Sequence, residues 1–211
     1  QSHWKLREAL GSIEDKIDTV FSLGVITRAG AVYSLLGPVL ILGLNRGTGL
    51  QIVHLREREA LARAYCTTVL FAGAFAILGS ILVALGVARA GEALSLGSLR
   101  SYAGALALLL AATALRELAL LIPHLRQEAG FYNGLNLGMD YGAALLGVVL
   151  VWKGFGPSGV LWAAGSMVGV GIAVALSRTF RDLGCRGGFD RAFLASALVV
   201  GLPGLPIALG Q

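Results

Sequence analysis

Two cysteines, three histidines and a charged fraction of only 14% in 211 residues remove several function classes at once. Cys66 and Cys185 stand alone, with no CxxC and no Cys/His cluster, so neither a disulfide framework nor a metal site is expected. No GxxxxGK phosphate cradle occurs, which argues against ATP hydrolysis. The acids Asp15, Asp18, Asp140, Asp182 and Asp190 fall in no paired spacing within an apolar run, so metal-dependent lipid chemistry is not expected. No cofactor is implied.

What the chain has in abundance is apolar surface and glycine: 56% hydrophobic residues, 30 glycines and a mean hydropathy of +0.76. That is too apolar for an ordinary soluble domain and predicts an all-α polytopic membrane bundle of about six spans. The pI near 9.6 would suggest nucleic acid in a soluble protein. Here the basic residues sit in short connections, where they report membrane orientation instead, so no nucleic-acid partner is expected.

Residues 1–27 are charged yet periodic, with Leu6, Leu10, Ile13, Ile17 and Val20 at helical spacing, and predict an amphipathic interfacial segment. Residues 28–211 form the transmembrane bundle. Its expected spans are 30–44 with Pro38 inside, 65–88, 101–122, 132–152, 157–177 and 192–210, the last broken by Pro203 and Pro206. The polar run 46–64 predicts a loop and a short surface helix. Asp182 and Asp190, beside Arg181 and Arg191, predict a solvated charged loop. Over alternate connections, Arg46, Arg56, Arg58, Arg63, Arg126, Arg178, Arg181, Arg186 and Arg191 stand against Arg89, Arg100 and Lys153, which places the first set in the cytoplasm. That orientation leaves residues 1–27 outside with Lys5, Arg7 and Lys16, against the rule.

The run 132–152 organises the rest. At about 1.5 Å per residue it is long enough to cross roughly 30 Å of hydrocarbon, yet it holds Asn133, Asn136 and Asp140 at i, i+3 and i+7 on one face. Gly134, Gly138 and Gly142 fall nearly opposite and suit close approach of another helix, as do Gly165 and Gly169 in the next span. A carboxylate deep in a span is costly and faces a bundle interior or a wet cavity. Two readings follow: an interhelical hydrogen-bond cluster that holds the bundle together, or a site for a coupling proton or sodium ion at Asp140, supported by Asn136 and Asn133. The second assumes a desolvated carboxylate with raised proton affinity. Arg116 and Glu117 lie in the preceding span, point about 100° apart, and each needs another partner. Arg28 falls near an interface, where it can snorkel.

Gly156-Pro157-Ser158-Gly159 matches the GxSG pattern of rhomboid-type intramembrane proteases, but such chemistry needs a later His, and His3, His54 and His124 all precede it. The motif reads as a tight turn and helix start. Enzymatic activity is therefore not expected, and transport or scaffolding remains.

The run RAGAVYSLLGPVLILGLNRGTGLQIVHLREREALARAY, the stretch LRELALLIPHLRQEAGFYNGLNLGMDYGAALLGVVLVWKGFGPSGVLWAAG and the final FDRAFLASALVVGLPGLPIAL resemble, in order, helices two to seven of polysaccharide (O-antigen type) flippases. That resemblance implies the multidrug/oligosaccharidyl-lipid/polysaccharide exporter superfamily, with two six-helix lobes around a central cavity. It also implies a chain of roughly half such a protein, in the bacterial inner membrane, moving a lipid-linked oligosaccharide. A cationic cavity would hold the anionic pyrophosphate, with Arg116 the first candidate and Arg28 the second. The alternatives are a drug or small-metabolite antiporter of the same superfamily, with more aromatic and acidic walls, and a non-transporting membrane scaffold.

Overall fold

The computed structural model of the chain describes residues 24–32, 35–37, 39–41, 43–55, 57–90, 97–185 and 188–202. Most of the amphipathic segment expected at 1–27, together with Pro38, Arg56, Arg186, Pro203 and Pro206, lies outside them. The described residues are helical throughout their ordered elements, without strand. After helical turns at 24–32 and 35–37 come α1 (Leu44–Ile52), α2 (Arg58–Ala90), a 3-10 turn (Gly97–Tyr102), α3 (Ala103–Leu125), α4 (Ala129–Leu150), a π turn (Val151–Phe155), α5 (Gly156–Leu183) and α6 (Arg191–Gly201).

Three helical runs are long and apolar enough to cross a membrane: Arg58–Arg89, Leu99–Leu125 and the 55-residue Ala129–Leu183. The last is not one rod. Gly154 and Gly156 have φ of 90° and 54°, a backbone that only glycine adopts cheaply, and the chain reverses there. Pro157 starts α5 without losing a needed donor, and the Ser158 hydroxyl donates to the Phe155 carbonyl at 2.7 Å. The two arms return side by side, with Gly147 against Ala163 and Gly159 against Leu150. The expected tight connection at 153–156 is this hairpin.

Helix α5 runs parallel to α3, Gly165 lying on Leu108 and Gly104 facing Trp162. Helix α2 runs antiparallel to α3, and the buried Tyr65 hydroxyl donates to the Leu118 carbonyl at 3.0 Å. Two of the apolar clusters stabilise this arrangement: one joins Leu44, Ala72, Ala76, Leu106 and Leu110, the other joins Ala112, Met139, Val168 and Ile172. Outward-facing Leu70, Leu78 and Leu82 on α2 and Leu145 and Val148 on α4 present the kind of apolar surface that hydrocarbon covers without cost.

Several boundaries differ from the sequence reading. Residues 44–52 are not a surface helix: Leu44, Gly47, Thr48 and Ile52 are buried, and α1 lies antiparallel to α6 in near backbone contact. A Cβ at Gly201 would lie 2.5 Å from the Gly43 carbonyl oxygen, and one at Gly47 would collide with the Ala197 carbonyl. Gly43-xxx-Gly47 thus meets Ala197-xxx-Gly201, a small-residue crossing that sequence polarity concealed. Conversely, Gly134 and Gly138 face open space and only Gly142 of that repeat packs, against Met167. In the α5 pair, Gly165 is close-packed while Gly169 is open. Arg178, Arg181 and Asp182 belong to the last turns of α5, not to a loop.

Cys66 and Cys185 are joined in a disulfide with Cα atoms 6.6 Å apart, which corrects the expectation of two unrelated cysteines. The sequence separation of 119 hid the pairing: only the return of α5 to the start of α2 brings the two together.

Candidate functional site

Helices α3 and α4 both pack on α5 and touch each other far less, leaving a groove between them into which Arg116, Asn136 and Asp140 reach. Arg116 sits nine residues before the end of α3, and Asp140 eleven residues into α4, so each lies on the order of 13–17 Å from its helix terminus. Arg116 Nη2 is 3.2 Å from Asp140 Oδ1 and 3.4 Å from Oδ2. The same guanidinium donates to Asn136 Oδ1 through Nη2 at 2.7 Å and Nε at 3.2 Å, and Asn136 Nδ2 donates to the Tyr132 carbonyl at 3.1 Å. The amide is thereby oriented with its oxygen toward the arginine.

The two charges differ in exposure. The Arg116 side chain is 25% exposed and that of Asp140 62%. The carboxylate is therefore not enclosed by neighbouring helices; it is an ion-paired group at an open groove wall. Asn133 stands exposed two turns before Asp140 and lines a hollow of about 310 Å³ with Pro123, His124, Glu128 and Tyr132. A smaller hollow of about 100 Å³ adjoins it, between Glu117, Leu120, Leu121, His124 and Tyr132. His124 and Tyr132 form the wall common to both, their rings 5.4 Å apart. Arg28 stands elsewhere, on the exposed side of the helical turns at 24–32. Its neighbours Val25 and Ala29 pack into the cluster of Leu44 and Leu106 rather than onto α4.

Below the groove lies a charge network that corrects the reading of Asp182 and Asp190 as a solvated loop. Arg178 pairs with Glu128 at 2.8 Å and stacks over Phe131 at 4.1 Å; Arg126 reaches Asp182 at 3.5 Å; and Arg58 donates to the Asp182 carbonyl. Asp190 caps α6, accepting from the Phe193 amide at 2.9 Å, while its own amide donates to Thr67 Oγ1 at 2.9 Å. The helix ends gather Arg58, Arg63, Arg126, Arg178, Arg181 and Arg191 at this end and Arg89, Arg100 and Lys153 at the other. Arg46 instead projects from the exposed side of α1, next to Gly47 at the crossing with α6.

No family model, curated protein or solved structure matches the chain. The site must be read from its own chemistry. An arginine fork held by an amide and a carboxylate, at an open groove in an apolar bundle, can bind an anionic oxygen pair if the carboxylate yields. Sequence reasoning named Arg116, Asn136 and Asp140 but gave Arg116 to the substrate and Asn136 and Asp140 together to the coupling ion. It missed His124, just past the expected span 101–122, and Tyr132, the first residue of the span 132–152.

Proposed function

We propose that the chain is a membrane-transport bundle of the polysaccharide-flippase kind, moving a lipid-linked anionic oligosaccharide across a bacterial inner membrane. The observation that carries this reading is the Arg116–Asp140 pair at an open groove about midway along the long helices. In this reading the described residues ahead of α2 belong to one broken crossing, α2 to α5 make four, and α6 begins a sixth. The arginine-rich end faces the cytoplasm.

Pairing of the two charges supplies the coupling logic. With Asp140 ionised, its carboxylate occupies the guanidinium face that a pyrophosphate would need. A proton or sodium ion on Asp140 withdraws that competition and leaves Arg116, oriented by Asn136, to take the anion through charge-assisted hydrogen bonds. Cation and lipid-linked anion would then bind together, each favouring the other by the same factor. Ordinary surface-polysaccharide synthesis in cells whose full-length protein carries Arg116→Ala with Asp140→Ala would remove this assignment.

A second reading is favoured by the hydrogen bonds themselves: Arg116 ties α3 to α4, as a static interhelical clamp in a scaffold would. A clamp is sealed, whereas a transport site is wet. Cysteines placed at 133, 136 and 140 distinguish them: rapid labelling by a water-soluble thiol reagent supports transport, and protection of all three supports the scaffold.

A further inference from the structure

We infer that Cys66 and Cys185 form a redox-responsive staple at the arginine-rich end, closed by disulfide exchange and opened by cytosolic thiols. The inference rests on the orientation proposed above and not on what the groove carries. Cys66 lies near the start of α2, and Cys185 follows the αL glycine, Gly184, that ends α5. Both are half-buried. The two sulfurs are bridged, and the chain around them is docked independently of the bridge: Thr67, next to Cys66, accepts the Asp190 amide at 2.9 Å and donates to the Gly188 carbonyl at 3.5 Å. The Arg63 side chain lies against Gly188 from the same helix. Opening the bridge would therefore leave the ends of α5 and α6 held by these hydrogen bonds and by the packing of Leu183 and Phe193 around Tyr65, with the thiols close enough to close it again.

Location makes this a switch rather than a permanent brace. Six arginines surround this end, and a lysine- and arginine-rich end faces the cytosol. Thiols are kept reduced there, and bridges that do form are mostly transient or redox-sensing. Closure is balanced by a low-molecular-weight disulfide of the glutathione type. One cysteine thiolate attacks it, expelling one thiolate and forming a mixed disulfide. The second cysteine then attacks the protein sulfur of that mixed disulfide, forms the Cys66–Cys185 bond and expels the second thiolate. The two cysteine protons end on the two released thiols, and the reagent has gained the two electrons that the cysteines lost.

The test is a thiol-trapping gel shift on the full chain in cells, with a maleimide polymer added after acid quenching. Free thiols in untreated cells, bridged within minutes of an oxidant such as diamide and freed again by a permeant thiol, are the expected result. Hydrogen exchange on the purified chain should then show the Asp190 amide at least about tenfold more protected in the oxidised than in the reduced form, with no such difference in Cys66→Ser. A bridge present in untreated cells and persisting under a permeant reductant would overturn the switch, and so would thiols that never bridge under oxidant. If the thiols of reduced protein are labelled by an impermeant reagent from outside the cell, the orientation fails. That result is separable from failure of exchange itself.

Discussion

Arg116 on α3 and Asp140 on α4 meet at 3.2 Å across a groove, one member three-quarters covered and the other largely open. The asymmetry decides what the pair can be. Two buried charges locked together would be costly to separate, whereas a pair with one exposed partner holds that partner less firmly. The contact is thus better suited to being made and broken than to holding the bundle together.

A double-mutant cycle measures this directly. Arg116→Ala, Asp140→Ala and the combined variant, unfolded reversibly in mixed micelles, should give a coupling energy of about 1 kcal/mol or less, as exposed pairs do. A coupling of about 3 kcal/mol or more would mark the pair as structural cement and undercut the transport assignment.

The α1–α6 crossing makes a sharper prediction. Gly47→Ala places a methyl group into the Ala197 carbonyl and should destabilise by about 1–3 kcal/mol, with Gly201→Ala similar. Gly73→Ala and Gly86→Ala, on α2 where nothing lies within 4 Å, are the controls; these should be neutral or stabilising by up to about 1 kcal/mol, from helix propensity. Equal effects at both pairs of sites would mean that the two backbones do not meet at this crossing.

Asp190→Ala removes the side-chain cap of α6 and should cost about 1 kcal/mol, whereas Asp190→Asn, which keeps an acceptor oxygen, should retain most of that. The backbone bond from residue 190 to Thr67 survives in both. Thr67→Val therefore tests it separately, and loss of protection at the residue 190 amide is the expected readout.

Reduction of the Cys66–Cys185 bridge in the purified chain should lower stability by about 2–4 kcal/mol, because the bond closes a loop spanning 119 residues in sequence. The shift should vanish in Cys66→Ser. Thermal unfolding followed by tryptophan fluorescence, with and without reductant, checks it.

Much of this arrangement was legible in the residues. The apolar runs gave α3 and α4 within a few residues, because length and hydropathy suffice where hydrocarbon is the solvent, but α2 starts at Arg58 rather than Tyr65 and α5 runs on to Leu183 rather than Ser177, since charged ends extend a helix beyond its apolar part. Glycines at 154 and 156 with Pro157 gave the hairpin. The polar stripe of α4 gave Asn136 and Asp140, and the need of Arg116 for a partner pointed to a neighbouring helix. What failed was long-range. The polarity of residues 46–64 masked Leu44–Ile52 as a packed helix, since its burial depends on two glycines meeting α6 more than 140 residues later. Depth in the span could not say whether Asp140 lies open or covered, because its exposure is set by how α3 and α4 sit on α5, which no single helix encodes. Spacing alone likewise could not show which faces of the glycine repeats were occupied.

The five-residue reversal between α4 and α5 also bears on how the protein is made. So short a joint leaves too little slack for one arm to cross a bilayer while the other waits in water, so the two would enter as a single wedge during synthesis. The apolar arm beyond the joint would then help carry Asn136 and Asp140 inward, and lengthening the joint with a flexible insert should uncouple that entry, stranding the acidic arm at the surface.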